Sequence, residues 1–360
     1  MGIKKFIDIY VPTETCNLQC HYCYIALLNK FSQKIHPIGH TAKEIRKALS
    51  RKRLGGICMI NICAGGETLL SEEILPIVKQ LLEEGHYVMV VTNGTVSRRF
   101  DEVASWGLDL KKRLFFKFSL HYLELERLKL LEVFAHNVNK VWRAGCSITV
   151  EVTSNDRLIE RIPELKRYCM ENFGALCHIT IARDDRKKKI DMLTKLSYEE
   201  YVKAWNGFGS DLLEMKLNLY GVKRREYCYA GAWSYYINLS TGNVRQCYCG
   251  MTFDNIYQDT DKKIKEVAIG RKCGIPYCYN GHAFIAFGSI PRLAQVTFAE
   301  ERNRKTADGR QWLQPEMKRA MESRLADTNE EYGWEEKLLN IWKEIECVPI
   351  CCKNYIRKIR

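Results

Sequence analysis

The run Phe6-Ile7-Asp8-Ile9-Tyr10-Val11-Pro12-Thr13-Glu14-Thr15-Cys16-Asn17-Leu18-Gln19-Cys20-His21-Tyr22-Cys23 joins a short β-prone segment to a loop with three cysteines. In its first half, apolar Ile7 and Ile9 alternate with polar Asp8 and Tyr10. Strand side chains point alternately to opposite faces, so this strand has one apolar and one polar face. The loop then spaces its thiols C-x3-C-x2-C. Three thiolates can hold three irons of a [4Fe–4S] cube, and with no fourth cysteine close by the fourth iron stays open. Electron-carrying ferredoxin sites use four Cys ligands, so a three-Cys site suits binding of something else at the open iron. The competing explanations are a zinc knuckle or three unrelated buried thiols. Zinc sites usually pair C-x2-C with a second such pair or with H-x3-5-H, and none follows promptly.

The parity of the first strand recurs. Strand candidates rich in β-branched and aromatic residues are Phe6–Val11, Ile57–Cys63, Tyr87–Thr92, Leu114–His121, Ser147–Thr153 and Cys177–Arg183. Amphipathic stretches lie between them: Ala42–Arg53, Glu72–Glu84, Glu124–Arg143, Asp156–Asn172 and Ser197–Met215. Such alternation implies a parallel sheet covered by helices, here an open barrel of six strand–helix units. One strand face is polar throughout: Asp8, Tyr10, Asn61, Cys63, Lys117, Ser119, His121, Thr149, Glu151, Thr153, His178, Thr180 and Asp184. Buried parallel strands normally read as continuous apolar runs. A polar second face therefore predicts a polar barrel interior, with an active site at the strand C-terminal ends.

The thiol spacing, with aromatic Tyr22 just before Cys23, resembles the signature of the radical S-adenosylmethionine (SAM) enzymes. The resemblance implies a (βα)6 partial TIM barrel and a [4Fe–4S] cluster on Cys16, Cys20 and Cys23. It also implies that SAM binds the open iron and is cleaved reductively to a 5′-deoxyadenosyl radical, which abstracts a hydrogen atom from substrate. Ala64-Gly65-Gly66-Glu67-Thr68 resembles the family's GGEP turn, with Thr68 in place of Pro. By that likeness Gly65, Gly66 and Glu67 meet the methionine end of SAM, the glycines letting backbone approach the ligand closely. Asn93, in Thr92-Asn93-Gly94, and Ser119 match frequent cofactor-contacting positions. Glu151 and Arg183 are further cofactor candidates, as is Asp184. Cys63, beside the Gly-Gly-Glu turn, is a candidate hydrogen-atom donor.

From about Gly221 turns and cysteines become dense. Cys228-x13-Gly242-x4-Cys247 resembles the opening of the SPASM and twitch modules of many radical SAM enzymes. The full SPASM pattern does not follow; Cys273-x4-Cys278 stands instead. The resemblance implies a shortened module with one auxiliary [4Fe–4S] cluster on Cys228, Cys247, Cys273 and Cys278. Cys249 is a spare thiol and a second candidate hydrogen donor. A hairpin is expected with its turn at Thr241-Gly242. The expected divisions are residues 1–220 for the barrel, 221–290 for the module and 291–360 for a helical C-terminal extension. Cys347, Cys351 and Cys352 stay unassigned. Cys58, Cys146, Cys169 and Cys177 read as small core hydrophobes.

A chain of 360 residues with 46% apolar residues can bury a large core. No apolar run is long enough for a bilayer, and the start has no secretory h-region. The expectation is a cytoplasmic protein whose 16 cysteines are ligands rather than disulfides. The net charge of +13 favours anionic partners, but the basic residues are dispersed and no nucleic-acid motif accompanies them. Relatives with such modules oxidise or epimerise sugars and aminocyclitols, or crosslink and epimerise ribosomal peptides. Peptide maturases often carry a leader-binding domain ahead of the barrel. This sequence opens on the first barrel strand, which favours a small sugar-like substrate over a peptide. The resemblance also implies an electron donor such as flavodoxin or ferredoxin. A non-catalytic metal scaffold is the alternative from another class, and it leaves the polar interior unexplained.

Overall fold

The computed structural model describes residues 2–359 apart from 188, 189, 280 and 294, with residues 351–359 described by backbone only. Six parallel strands follow the expected order: β1 (Lys5–Val11), β2 (Cys58–Ala64), β3 (Tyr87–Thr92), β4 (Leu114–Ser119), β5 (Ser147–Ser154) and β6 (His178–Ile181). The register places Asp8 beside Asn61, Lys117 beside Thr149 and Ser119 beside Glu151. The predicted polar residues on these six strands therefore share one face, whereas Asp184 falls outside them. After β6 a two-residue pair, β7 (Arg183–Asp184) and β8 (Asp191–Met192), stands apart from the main sheet.

The other face is apolar and carries the main core. Ile7, Ile9, Ile60, Ile62, Phe116, Phe118, Ile148 and Val150 are fully buried there. Helices Ile74–Glu83, Leu131–Arg143 and Ile162–Phe173 supply Leu75, Val78, Phe134, Val138 and Leu165 to the same core. Several predicted helices are broken for local reasons, among them Ser197–Met215, which divides at Gly209 (φ 51°) into Tyr198–Trp205 and Asp211–Leu219. Ala42–Arg53 divides into Ala42–Ala48 and Arg51–Leu54. The Glu124–Arg143 stretch divides at Lys129, whose φ is 58°, a left-handed conformation no helix interior accepts.

The cysteine-rich segment continues the barrel sheet. β9 (Ser234–Asn238) pairs in parallel with β1, and β10 (Asn243–Arg245) and β11 (Thr252–Asn255) extend it antiparallel. The sheet thus has nine strands in the order β11-β10-β9-β1-β2-β3-β4-β5-β6. The predicted hairpin turn is present, with Gly242 at φ 73°. The buried Arg53 guanidinium clamps the following loop, donating to the carbonyls of Ile256 (2.6 Å) and Lys262 (2.9 Å).

The segment expected as a helical extension also closes the barrel. Phe6, Met59, Met89 and Phe115, on the interior face near the strand starts, form a second core with Phe284, Phe287, Phe298 and Met317. Phe6 stacks on Phe287 (centroids 4.8 Å) and meets Phe284 edge-on (5.1 Å). The interior is thus apolar at the bottom and polar above. Cys347, on the helix Trp334–Ile359, is buried in the main core near β11. Cys351 and Cys352 lie outside the described side chains.

Candidate active site

Above the aromatic plug lies a cavity of about 590 Å³. Cys16, Cys20 and Cys23 line it together with Asp8, Cys63 and Lys117. The thiol loop is held from three sides. Gly66 N–H donates to the Thr13 carbonyl (2.8 Å) and Glu67 N–H to the Thr15 carbonyl (2.9 Å). Asn93 donates to the Asn17 side chain (2.8 Å), and Asn17 donates to Thr95 Oγ1 (2.8 Å). On the third side the Tyr22 hydroxyl pairs with His121 Nδ1 (2.7 Å), and Gln19 N–H donates to Glu124 (2.9 Å).

The Gly-Gly-Glu turn packs directly on the thiol loop. A Cβ on Gly66 would sit 2.0 Å from the Thr15 carbonyl oxygen, and one on Gly65 would sit 2.8 Å from that of Thr13. The glycines are required because the thiol loop itself lies against them. The Glu67 carboxylate, only 2% exposed, accepts from Leu69 N–H (2.9 Å), Thr92 Oγ1 (2.7 Å) and Asn93 N–H (2.6 Å). Burial raises its pKa against these bonds. Glu67 therefore ties the turn after β2 to the end of β3, with limited acceptor capacity left for a ligand.

The thiols fit a cluster by their chemistry. Burial raises the pKa of Cys16 to about 11, and Glu67 and the Cys23 thiol add to the effect. Cys20 rises by burial and by the nearness of Cys23 and Cys16. With burial raising both Cys16 and Cys20, the loop needs a cationic centre to hold them as thiolates. Among the described residues no set of three Cys, His, Asp or Glu side chains converges on a single ion. A cube fits this better than zinc does, since its thiolates each bind a different iron.

The wall away from the thiols is charged. Glu151 is paired with Arg302 and with Lys117 (3.2 Å). Burial opposes its ionisation, but Arg302 and Lys117 outweigh burial and its pKa falls. Arg302 also meets His282 Nε2 (2.9 Å). Lys216 donates to Thr180 Oγ1 (2.6 Å). On β1, Asp8 accepts from Asn61 (2.8 Å) and from the Tyr248 hydroxyl. Burial raises the Asp8 pKa against both bonds.

Tyr22, Gly65, Gly66, Glu67, Asn93, Ser119, Glu151, Arg183 and Cys63 all line the cavity. Burial drives the Cys63 thiol up to about 12, so it stays protonated. Cys249 does not line it. Its thiol is exposed, bonded to the Tyr279 hydroxyl (3.3 Å), in a surface cleft beside Cys247 and Cys273. Asp184 is likewise turned away, paired with Arg186 (2.7 Å). Cys228 lies near enough to Cys247, Cys278 and Cys273 for their charges to raise its pKa, after burial. Tyr248 sits next in sequence to Cys247 yet lines the main cavity. Sequence reading missed Lys216, Tyr248, His282 and Arg302. Adjacency to Cys247 could have flagged Tyr248; the other three sit in ordinary amphipathic or loop sequence.

Comparison with known proteins follows the same outline. Residues 10–145 match the family model described as the Radical SAM superfamily. A 91-residue stretch is 29% identical to the 7-carboxy-7-deazaguanine synthase of Thermoplasma acidophilum, covering 25% of this chain and 39% of that protein. The structure of Streptococcus suis SuiB bound to S-adenosylmethionine superposes with a TM-score of 0.50 at 14% identity, covering 71% of this chain and 65% of SuiB. The chain thus spans about two fifths of the curated relative and just under two thirds of SuiB. The match begins at Tyr10 and takes in the thiol loop, the Gly-Gly-Glu turn and the first four strand–helix units, so residues 10–145 are similar to the radical SAM superfamily domain.

Proposed function

We propose that this protein is an enzyme that abstracts a hydrogen atom from a small, polar, carbohydrate-like metabolite. The observation that carries the proposal is the shared cavity. Three thiols open onto a polar chamber at the C-terminal ends of parallel strands, and an aromatic plug closes it below. Cys16, Cys20 and Cys23 would hold a [4Fe–4S] cluster, and Cys228, Cys247, Cys273 and Cys278 an auxiliary one. When bound, the first cluster with SAM supplies a 5′-deoxyadenosyl radical, and the second supplies an electron acceptor.

The chain's own residues do the rest. Tyr22, Asn93 and Glu67 fix the thiol loop. The Phe6, Phe284 and Phe287 rings keep water from the chamber floor. Asp8, with its raised pKa, can take a proton from a substrate hydroxyl as the carbon is oxidised. Tyr248 joins that carboxylate to the neighbourhood of Cys247. Epimerisation is the second reading, favoured by Cys63. Its protonated thiol lines the chamber and could return a hydrogen atom. A peptide maturase would present side chains to the same chamber, and its volume favours a whole small molecule. The net charge of +13 suits an acidic electron donor such as flavodoxin or ferredoxin.

The test is SAM cleavage by anaerobically reconstituted, reduced protein. Release of 5′-deoxyadenosine, absent from a C16A/C20A/C23A variant, is the expected result. Iron-replete, reduced protein that releases none would overturn the proposal. With substrate in D2O, deuterium gained at carbon and lost in C63A would select epimerisation over oxidation.

A further inference from the structure

The chamber is lined by four basic side chains and by the carboxylates of Asp8, Glu67, Glu151 and Asp185, with Asp8 facing Lys117, but the cations are unevenly answered. The four are Lys117, Arg183, Lys216 and Arg302. Glu151 answers both Lys117 and Arg302, and Asp185 lies 3.7 Å from Arg183. Lys216 has the Thr180 hydroxyl and, among the described residues, no carboxylate at ion-pair distance. Arg302 is fully buried, and its Nε–H has no acceptor. His282 Nδ1 beside it is also buried without a partner. A buried cation without a counter-charge is costly, and proteins keep one where a ligand completes it.

Glu301 does not supply the missing charge. Neither of its carboxylate oxygens has a hydrogen-bond partner, and burial raises its pKa to about 8 against the pull of Arg302. One of its oxygens lies 3.6 Å from an Arg302 nitrogen, and the raised pKa favours its protonated form near neutral pH. Lys216 is pulled the other way, brought down to about 7 by burial and by Lys117. The Lys216 shift is that of a buried cation set beside another cation, whereas the Glu301 shift comes from burial.

The three cations come from β4, from the helix Asp211–Leu219 packed on β6, and from the helix Phe298–Arg302. The Gly65–Glu67 turn follows β2, two places along the sheet from β4. We propose that Lys117, Lys216 and Arg302 form an anion subsite that seats a carboxylate or phosphate group carried by the substrate. This rests on the proposed function, since the anion is assigned to the molecule that loses hydrogen. Charge-assisted bonds to such a group would come from Arg302 Nε–H, which lacks an acceptor, and from the two lysines. They would fix the substrate by its anionic end.

The test uses reconstituted protein with SAM present, titrated with inorganic phosphate and, separately, acetate, by calorimetry. Expected is binding of at least one anion without displacement of SAM, weakened about tenfold or more in K216M. Lys216 is chosen because its loss strands no carboxylate; retained iron and a cooperative thermal transition confirm folding. A K117M variant gives a second reading at the same site. Tighter phosphate than acetate binding would assign a phosphorylated substrate, and the reverse a carboxylate. Absence of binding by both anions would overturn the subsite. So would displacement of SAM by the anion, or an equal loss of SAM affinity in K216M, since the cations would then belong to the carboxylate of SAM. Failure of the radical reading shows separately, as no 5′-deoxyadenosine from the same preparation.

Discussion

At Gly66 a single methyl group decides whether the thiol loop can close. Its Cβ would meet the Thr15 carbonyl oxygen at 2.0 Å, backbone against backbone. Under the proposed cluster assignment, G66A should displace the loop and lose about four irons per chain on reconstitution, while iron proposed at Cys228, Cys247, Cys273 and Cys278 is kept; iron and sulfide assays check this. E67Q should keep the loop's shape but weaken its tether to β3, lowering stability by about 1–3 kcal/mol, read as a fall in the denaturation midpoint. Glu301 sets a pH dependence. Its carboxyl keeps its proton to about pH 8 in the fold, against an ordinary value of 4.5. Between those values the folded chain binds more protons than the unfolded one, so stability falls as pH rises and levels above pH 8. The variant E301Q removes that fall. Its Tm relative to the parent should climb between about pH 5 and pH 8; a constant difference would contradict the assignment.

The strands carried most of the legible information. Alternation on β1, β4 and β5 gave the lumen face residue by residue, because a period of two leaves no choice of face once one side is apolar. The thiol loop and the Gly-Gly-Glu turn were legible as motifs. The physical duty of the turn was not, because the partner of Gly66 is a backbone segment fifty residues earlier. Helices were less legible at their ends: Lys129 and the Leu49-Ser50 junction break stretches whose apolar spacing runs on. The helix Phe298–Arg302 hid its role altogether. Its Thr297–Glu300 capping box marks a helix start, and nothing local says that Arg302 ends in the barrel. The aromatic plug beneath the site is a property of elements in contact, and its loss should be felt there. F284A removes a ring packed on Phe6 and Tyr248. It should cost about 3–5 kcal/mol and also raise the rate at which SAM is cleaved without substrate turnover, measured as 5′-deoxyadenosine formed in substrate-free buffer.

Across the whole molecule, one sheet runs from the hairpin beside Cys247 to the far barrel wall. β9 pairs directly with β1, and Tyr248 reaches from beside Cys247 to Asp8 on that strand. Tertiary pairing of this kind is invisible to local sequence, which reads residues 221–290 as a segment of their own. The same return of the chain brings His282 and Arg302 beside Glu151, joining the C-terminal third to the chemistry. Among the described residues no helix is long and apolar enough to cross a membrane. The central claim is that Cys16, Cys20 and Cys23 hold a cluster open to the shared chamber. Low-temperature EPR of the reduced, reconstituted protein, with and without SAM, tests it most directly. The account predicts a [4Fe–4S]⁺ signal that changes when SAM is added and is lost in the C16A/C20A/C23A variant, with a second signal remaining. A spectrum indifferent to SAM, or a triple variant that keeps every iron, would contradict it.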